Sequence, residues 1–228
     1  MNTTTPSSRR LHVADDPRAP NLSLTDAVAI FLRRLSPRLM LGLVTVIVTA
    51  RIVVGGFTVW DAVVALALVG LQPITEWVIH VVVLHWRPRK LGPFTLDTKL
   101  SAAHRAHHVD PNDEQHWFIP LGSGLIGLGI VAAVGWVVLA GDLALWLTWM
   151  MASQMLTFVY EWTHYLCHSA YRPQSDTYKR IWRYHRLHHF KNENYWLGVT
   201  AHLGDRLFGT LPLTRDVDTS PTCRDLHG

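Results

Sequence analysis

The chain has 228 residues, 49% of them hydrophobic and only 17% charged, with ten tryptophans and a formal net charge of +4. The length suits one domain, and the composition is too apolar for an average soluble one, which points to an integral membrane protein. The basic residues lie between apolar segments rather than along one polar face, which excludes a nucleic-acid surface, and the two cysteines, Cys167 and Cys223, form neither a C-x-x-C metal pair nor a disulfide framework.

Residues 1–21 are polar and proline-containing without an apolar core, so they read as a disordered cytoplasmic tail rather than a signal peptide. Ser23 to Leu35 reads as a short helix capped by Ser23 with Asp26, lying in the membrane interface or packed on the protein's own cytosolic part. Leu39 to Val54 and Val59 to His85 form a first apolar hairpin around Gly55-Gly56, with Arg51 snorkelling toward the interface and Pro73 kinking the second helix. A basic loop from Trp86 to Phe118 follows. Leu121 to Ala140 and Leu143 to Tyr165 form a second hairpin around Gly141-Asp142. Both interhelical turns are nearly free of Lys and Arg. The positive-inside rule therefore places the N-terminal tail, the central loop and the C-terminal region in the cytoplasm. The expected fold is all-α: four transmembrane helices in two hairpins, with a cytosolic helical cap. The expected divisions are the tail at 1–21, a membrane domain at 22–212 and a C-terminal tail at 213–228.

Ten histidines fall in four clusters, all on the cytoplasmic side: His80 and His85; His104, His107 and His108; His164 and His168; His185, His188 and His189. Positions i, i+3 and i+4 share a helix face, so His164 with His168, and His185 with His188 and His189, can each converge on one point. Ten imidazoles exceed one metal site and fit two metals with about five ligands each. His80 and His85 are about 140° apart on a regular helix. They cannot share one centre unless the helix ends or distorts near His85, before Pro88. Candidate carboxylates behind the ligands are Glu76, Asp113, Glu161 and Asp205, since a ligand histidine usually donates its second N–H to such a group. His116 and His202 read as hydrogen-bonding residues more than as ligands. Counting about twenty residues per span brings His80 and His164 to the same membrane boundary.

These clusters resemble the histidine boxes of the membrane-bound fatty acid hydroxylase superfamily, which includes sterol desaturases and fatty acid 2-hydroxylases. The resemblance rests on Glu76-Trp77 before His80, the run His107-His108-Val109-Asp110-Pro111-Asn112-Asp113, the run Tyr160-Glu161-Trp162-Thr163-His164-Tyr165, the run His188 to Tyr195, and Asp205 to Thr210. It covers about residues 22–212. It implies a lipid hydroxylase with two iron ions, zinc being able to replace them in purified protein. Its reaction would use O2, electrons from a separate donor protein and a fatty acyl substrate attacked at carbon 2. The alternatives are a sterol or carotenoid oxidase of the same superfamily and, in another class, a non-catalytic metal-binding membrane protein. One departure stands out: Gly204 occupies the position before Asp205 where the family often has Trp.

Overall fold

A computed structural model describes residues 16–20 and 22–226. The expected tail at 1–15 lies outside the described residues. Residues 16–20, expected to belong to it, pack instead: the Pro17 carbonyl accepts from the Ala170 amide at 2.7 Å, and Ala19 is buried.

Helix α1 (Leu24–Arg33) starts where the Ser23 hydroxyl accepts from the Asp26 amide. Its apolar side, Ala27, Ile30 and Phe31, is buried against Trp117, Tyr165 and Leu166. Phe31 meets Trp162 edge-on with ring centroids 5.0 Å apart. Of the two sequence readings, packing on the protein's own body is therefore the one realised.

Four helices are long and apolar enough to cross a membrane: α2 (Leu35–Val54), α3 (Val59–Ile79, continued by a π-turn over His80–Leu84), α5 (Leu121–Val138) and α6 (Leu143–His168). Helix α6 is the centre of the bundle and packs on α2, α3 and α5. The outward sides are aliphatic, with Val53, Leu66 and Val137 each 70% exposed or more. Such a surface needs hydrocarbon rather than water around it.

Helix α3 keeps Pro73 within its continuous span. One feature of the first hairpin differs from expectation: Arg51 does not snorkel; its side chain is fully buried. The reason is Asp61, which closes a capping box with Thr58 at the start of α3 and lies across the Gly55–Gly56 turn from Arg51. The guanidinium reaches Asp61 Oδ1 at 2.6 Å, the Thr148 hydroxyl at 2.8 Å and the Gly55 carbonyl at 2.6 Å. An ion pair with its hydrogen bonds satisfied is tolerated at membrane depth where lone charges are not. It fastens α2, α3 and α6 together at the end remote from the histidines.

The cap at the other end holds α4 (Lys99–Val109), α7 (Asp176–Phe190) and the short α8 (Leu203–Leu207). A hairpin of β1 (Arg89–Leu91) and β2 (Phe94–Leu96) turns at Gly92-Pro93 and is the one sheet among the described residues. The C-terminal stretch is not a free tail. Val217, Cys223 and Leu226 are buried, and residues 217–226 run back across the ends of α4 and α7.

A candidate metal centre of ten histidines

The structure gathers all ten clustered histidines into two adjacent groups of five. His80, His85, His104, His108 and His188 form one; His107, His164, His168, His185 and His189 form the other, and in each the ligand atoms lie within 4.8 Å of one another. Among the described residues, no carboxylate enters either group.

The H-x-x-H-H triplets do not each converge on one point. On a helix turning about 100° per residue, i+4 lies about 40° to one side of i and i+3 about 60° to the other. Thus i and i+4 share a centre while i+3 faces the next. Helix α4 gives His104 and His108 to the first group and His107 to the second; α7 gives His185 and His189 to the second and His188 to the first. Each transmembrane helix adds a pair. On α6 the pair is His164 and His168, at regular i, i+4 spacing. On α3 the π-turn makes the adjustment, its extra residue bringing His85 back over His80, with the His85 amide donating to the His80 carbonyl at 3.0 Å.

Backbone carbonyls fix four of the rings. His80 Nδ1 donates to the Leu197 carbonyl at 2.6 Å, His108 Nδ1 to Cys223 at 3.0 Å, His164 Nδ1 to Trp117 at 2.8 Å and His188 Nδ1 to Tyr195 at 3.0 Å. A carbonyl can only accept, so each of these Nδ1 atoms carries the proton and each Nε2 is a bare lone pair. The Nε2 atoms of His108 and His188 nevertheless face each other at 3.2 Å. Burial, the largest influence on both, holds His108 down to about 4 and His188 well below the usual histidine range, which disfavours a second proton between them. Two lone pairs at that distance call for a cation between them.

In the second group the Nε2 contacts are His107–His168 at 3.1 Å, His168–His185 at 2.7 Å and His185–His189 at 3.1 Å. Two imidazole nitrogens bound about 2.1 Å from one ion and 90–100° apart are ~3.0–3.2 Å from each other. Among the described residues, the buried Nε2 atoms of His80, His85 and His104 find no hydrogen-bond partner. The donor set therefore fits a metal in each group, and all-imidazole coordination suits iron, zinc, copper or nickel.

The four carboxylates lie elsewhere than expected: none accepts a proton from a histidine of either group. Glu76 accepts from the amides of Val199 and Thr200 and from the Thr200 hydroxyl. Asp205 accepts from the Leu197 amide at 2.9 Å, the Gly198 amide at 2.8 Å and the Thr210 hydroxyl at 2.7 Å. Both pin the loop whose Leu197 and Tyr195 carbonyls orient His80 and His188. Glu161 accepts from Ser36 and the Ile119 amide, fixing the segment after Trp117. Asp113 caps a short 3₁₀ turn and contacts His116 at 3.1 Å. His116 and His202 stand outside both groups, and His202 Nδ1 lies 3.4 Å from Asp205. The buried Cys167 also stands outside them.

Gly204 has a geometric explanation. A Cβ there would lie 2.6 Å from the Pro73 carbonyl oxygen and 2.6 Å from Trp77 Cβ. Helix α8 sits directly on α3, and Phe208 stacks on Trp77 at 4.1 Å. A Trp at this position would force the two helices apart.

Sequence reasoning missed the carbonyl acceptors of Trp117, Tyr195, Leu197 and Cys223. It also missed the C-terminal strap. Besides the Cys223 carbonyl on His108, the strap supplies Arg224, which donates to the carbonyls of His108 at 3.1 Å and Val109 at 2.8 Å. The Thr222 hydroxyl donates to Glu193 at 2.5 Å, and the Ser220 amide donates to the Lys191 carbonyl at 2.7 Å. Deleting residues after 216 is expected to lower metal retention by the group containing His108 about 10- to 100-fold, the usual effect of losing such a partner. Metal content after dialysis against a chelator measures it; unchanged retention would mean the strap does not hold the site.

The centre opens on one side to apolar space. A small cavity of about 40 Å³ is walled by His104 and His164, one from each group, with Trp117 and Ile119. Leu84, Leu100, Ile119 and Tyr160 also line a larger cavity of about 430 Å³ between α3, α5 and α6.

The geometry agrees with three comparisons. A family profile described as fatty acid hydroxylase matches residues 64–210. Two Arabidopsis thaliana proteins are similar: dihydroceramide fatty acyl 2-hydroxylase FAH1, 30% identical over 61% of this chain and 56% of its own length, and dihydroceramide fatty acyl 2-hydroxylase FAH2, 41% identical over 24% of this chain and 22% of its own. The chain thus spans about half or less of the curated relatives it matches. A solved structure described as full-length scs7p, with only its hydroxylase domain visible, superimposes with a TM-score of 0.65 over 82% of this chain and 68% of that one at 20% identity, which is a likeness of fold.

Proposed function

The chain belongs to the fatty acid hydroxylase family, and from that premise we propose that it hydroxylates a membrane fatty acyl chain at carbon 2 with a histidine-held pair of iron ions. The observation that carries this reading is the opening of both five-histidine groups, through His104 and His164, onto an apolar cavity at the end of the membrane helices. The relatives' names support the substrate class and the carbon.

The balanced reaction inserts one oxygen atom of O2 into the C–H bond at carbon 2 and releases the other as water, taking up two electrons and two protons. Bound iron supplies the oxidising power toward an inert C–H bond that no side chain has. The protein's own residues hold and shield. Carbonyl-fixed imidazoles keep their Nε2 atoms aimed inward. Leu84, Leu100, Ile119 and Trp117 keep the reacting carbon in a dry space. The polar head of the lipid stays at the cap, where water is near, so no unpaired polar group enters hydrocarbon.

Electrons come, in this reading, from a separate protein. Lys179, Arg180, Arg183 and Arg186 line the exposed side of α7, opposite its histidines, and suit an acidic donor. Both termini and the centre face the cytoplasm, supported by the basic loops. A C-terminal reporter active only outside the cytoplasm would contradict that side. The functional unit runs to residue 226 rather than ending at 212, because the strap orients His108.

The test is mass spectrometry of lipids from cells expressing the wild type and His164→Ala. The expected result is 2-hydroxy fatty acids with the wild type, lost in the variant. Mid-chain hydroxyl groups or double bonds, or a modified sterol without change in the fatty acids, would refute carbon 2 and favour a sterol or carotenoid oxidase.

A further inference from the structure

We propose that the cavity between α3, α5 and α6 is the acyl-tail site, and that Trp149, seated on Gly135, is the floor that limits the length of chain accepted. The inference rests on the lipid-hydroxylase reading and adds to it a length limit and the residue that sets it.

The cavity is lined by Leu68, Leu71 and Ile79 of α3, Val131 and Val134 of α5 and Leu156 of α6. Of the polar side chains among them, Thr157 donates to the Ser153 carbonyl of its own helix at 2.9 Å, and Glu76 is taken up by the Val199 and Thr200 amides. Helix α5 packs mainly on α6. The gap between α3 and α5 is therefore the side from which a tail enters out of the bilayer. Four residues are shared with the small cavity walled by His104 and His164, so the two spaces adjoin and the upper end of the larger one lies next to the centre.

Two helices give the same depth. From Tyr160 down to Trp149 on α6, and from Ile79 down to Leu68 on α3, the drop is eleven residues in each case, or ~16 Å at about 1.5 Å per residue. An extended carbon chain built from bonds of about 1.5 Å advances ~1.25 Å per carbon. About thirteen carbons therefore span the cavity from the level of Tyr160 and Ile79 to the floor, and with carbon 2 above that level, at the histidines, a chain of roughly 16 carbons fills the space.

The floor is rigid. A Cβ on Gly135 would lie 2.4 Å from the Trp149 ring, so the indole occupies the notch that only glycine leaves. The Trp149 Nε1 donates to the Val131 carbonyl at 3.0 Å, which fixes the ring. The neighbouring Thr148 of α6 belongs to the buried Arg51–Asp61 cluster, which anchors this end of the helix.

The experiment expresses the wild type, Trp149→Ala, Leu68→Trp and, as a control on the lipid-facing side of α5, Ile130→Ala, and measures chain lengths of the 2-hydroxy acids. Trp149→Ala is expected to raise the ratio of products longer than 16 carbons to those of 16 at least threefold. Leu68→Trp is expected to shift products to shorter chains, and Ile130→Ala to leave the profile unchanged. Trp149→Ala that hydroxylates with the wild-type profile would overturn the proposal. Purified wild type is also photolabelled with a 16-carbon fatty acid carrying a diazirine at its last carbon, which needs no turnover. Labelling of the peptides around Trp149 and Val134 is expected; labelling confined to the outer faces would overturn the proposal. Wild type that labels at Trp149 but makes no 2-hydroxy acid would uphold the cavity and refute the reaction.

Discussion

Two pairs of histidine replacements are expected to give opposite metal counts. His104→Ala combined with His188→Ala damages one group and is expected to leave about one ion per chain; His185→Ala combined with His188→Ala damages both and is expected to leave about none. The residues of the second pair sit one helical turn apart in a single H-x-x-H-H motif, yet they face different centres. If each motif served one centre, the result would be reversed: the second pair would keep an ion and the first would lose both. Either pair is expected to lower hydroxylation by more than about 100-fold, since losing even an outer partner of a ligand costs ten- to a hundredfold. Metal analysis of the purified variants reads the outcome directly.

The second large effect is expected from Asp205→Ala. Its carboxylate is fully buried and is the partner of the Leu197 amide, the Gly198 amide and the Thr210 hydroxyl. Each buried donor left unmade costs about 1–3 kcal/mol, so a loss of several kcal/mol is expected against a typical total of about 5–15 kcal/mol. The same change frees the peptide whose carbonyl orients His80, so metal loss from that group accompanies the drop in stability. Asp205→Asn keeps an acceptor and is expected to fall between. Burial alone would raise the Asp205 carboxyl, but the hydrogen bonds from His202, Thr210 and the Gly198 and Leu197 amides hold it below the usual range. Its folded value is depressed, so its contribution is complete above an unfolded value near 3.8 and is lost as pH falls through the folded one. A thermal midpoint of Asp205→Ala equal to the wild type at neutral pH would contradict this role.

The parts of the fold written as long periodic or apolar runs were legible from the residues alone. The four spans follow from unbroken hydrophobic stretches between Gly-rich turns. The distortion at His85 followed from a geometric conflict, because five residues of regular helix cannot aim two rings at one point, and the π-turn is its resolution. The interleaving of the triplets was equally available from the helical angle, but treating i+3 and i+4 as one face concealed that they diverge by about 100°.

Other parts had no signal of that kind. Leu197, Tyr195, Trp117 and Cys223 act through backbone carbonyls, so their side-chain identities carry no mark of the role. The strap at 217–226 has no helical or strand period and is held by single contacts to distant helices. Arg51 and Asp61 form their pair only because a turn and a third helix bring them together with Thr148. The carboxylates were recognisable as important because charge is costly at membrane depth. Their partners are the peptides behind the ligands rather than the ligands themselves.

The central claim is that the ten-histidine centre places oxygen from O2 on carbon 2 of an acyl chain. The most direct measurement is expression of the chain under ¹⁸O₂, followed by mass spectrometry that locates the label along the fatty acid. The account predicts a single ¹⁸O in the hydroxyl at carbon 2. A hydroxyl carrying oxygen from water, or label placed elsewhere along the chain, would contradict it.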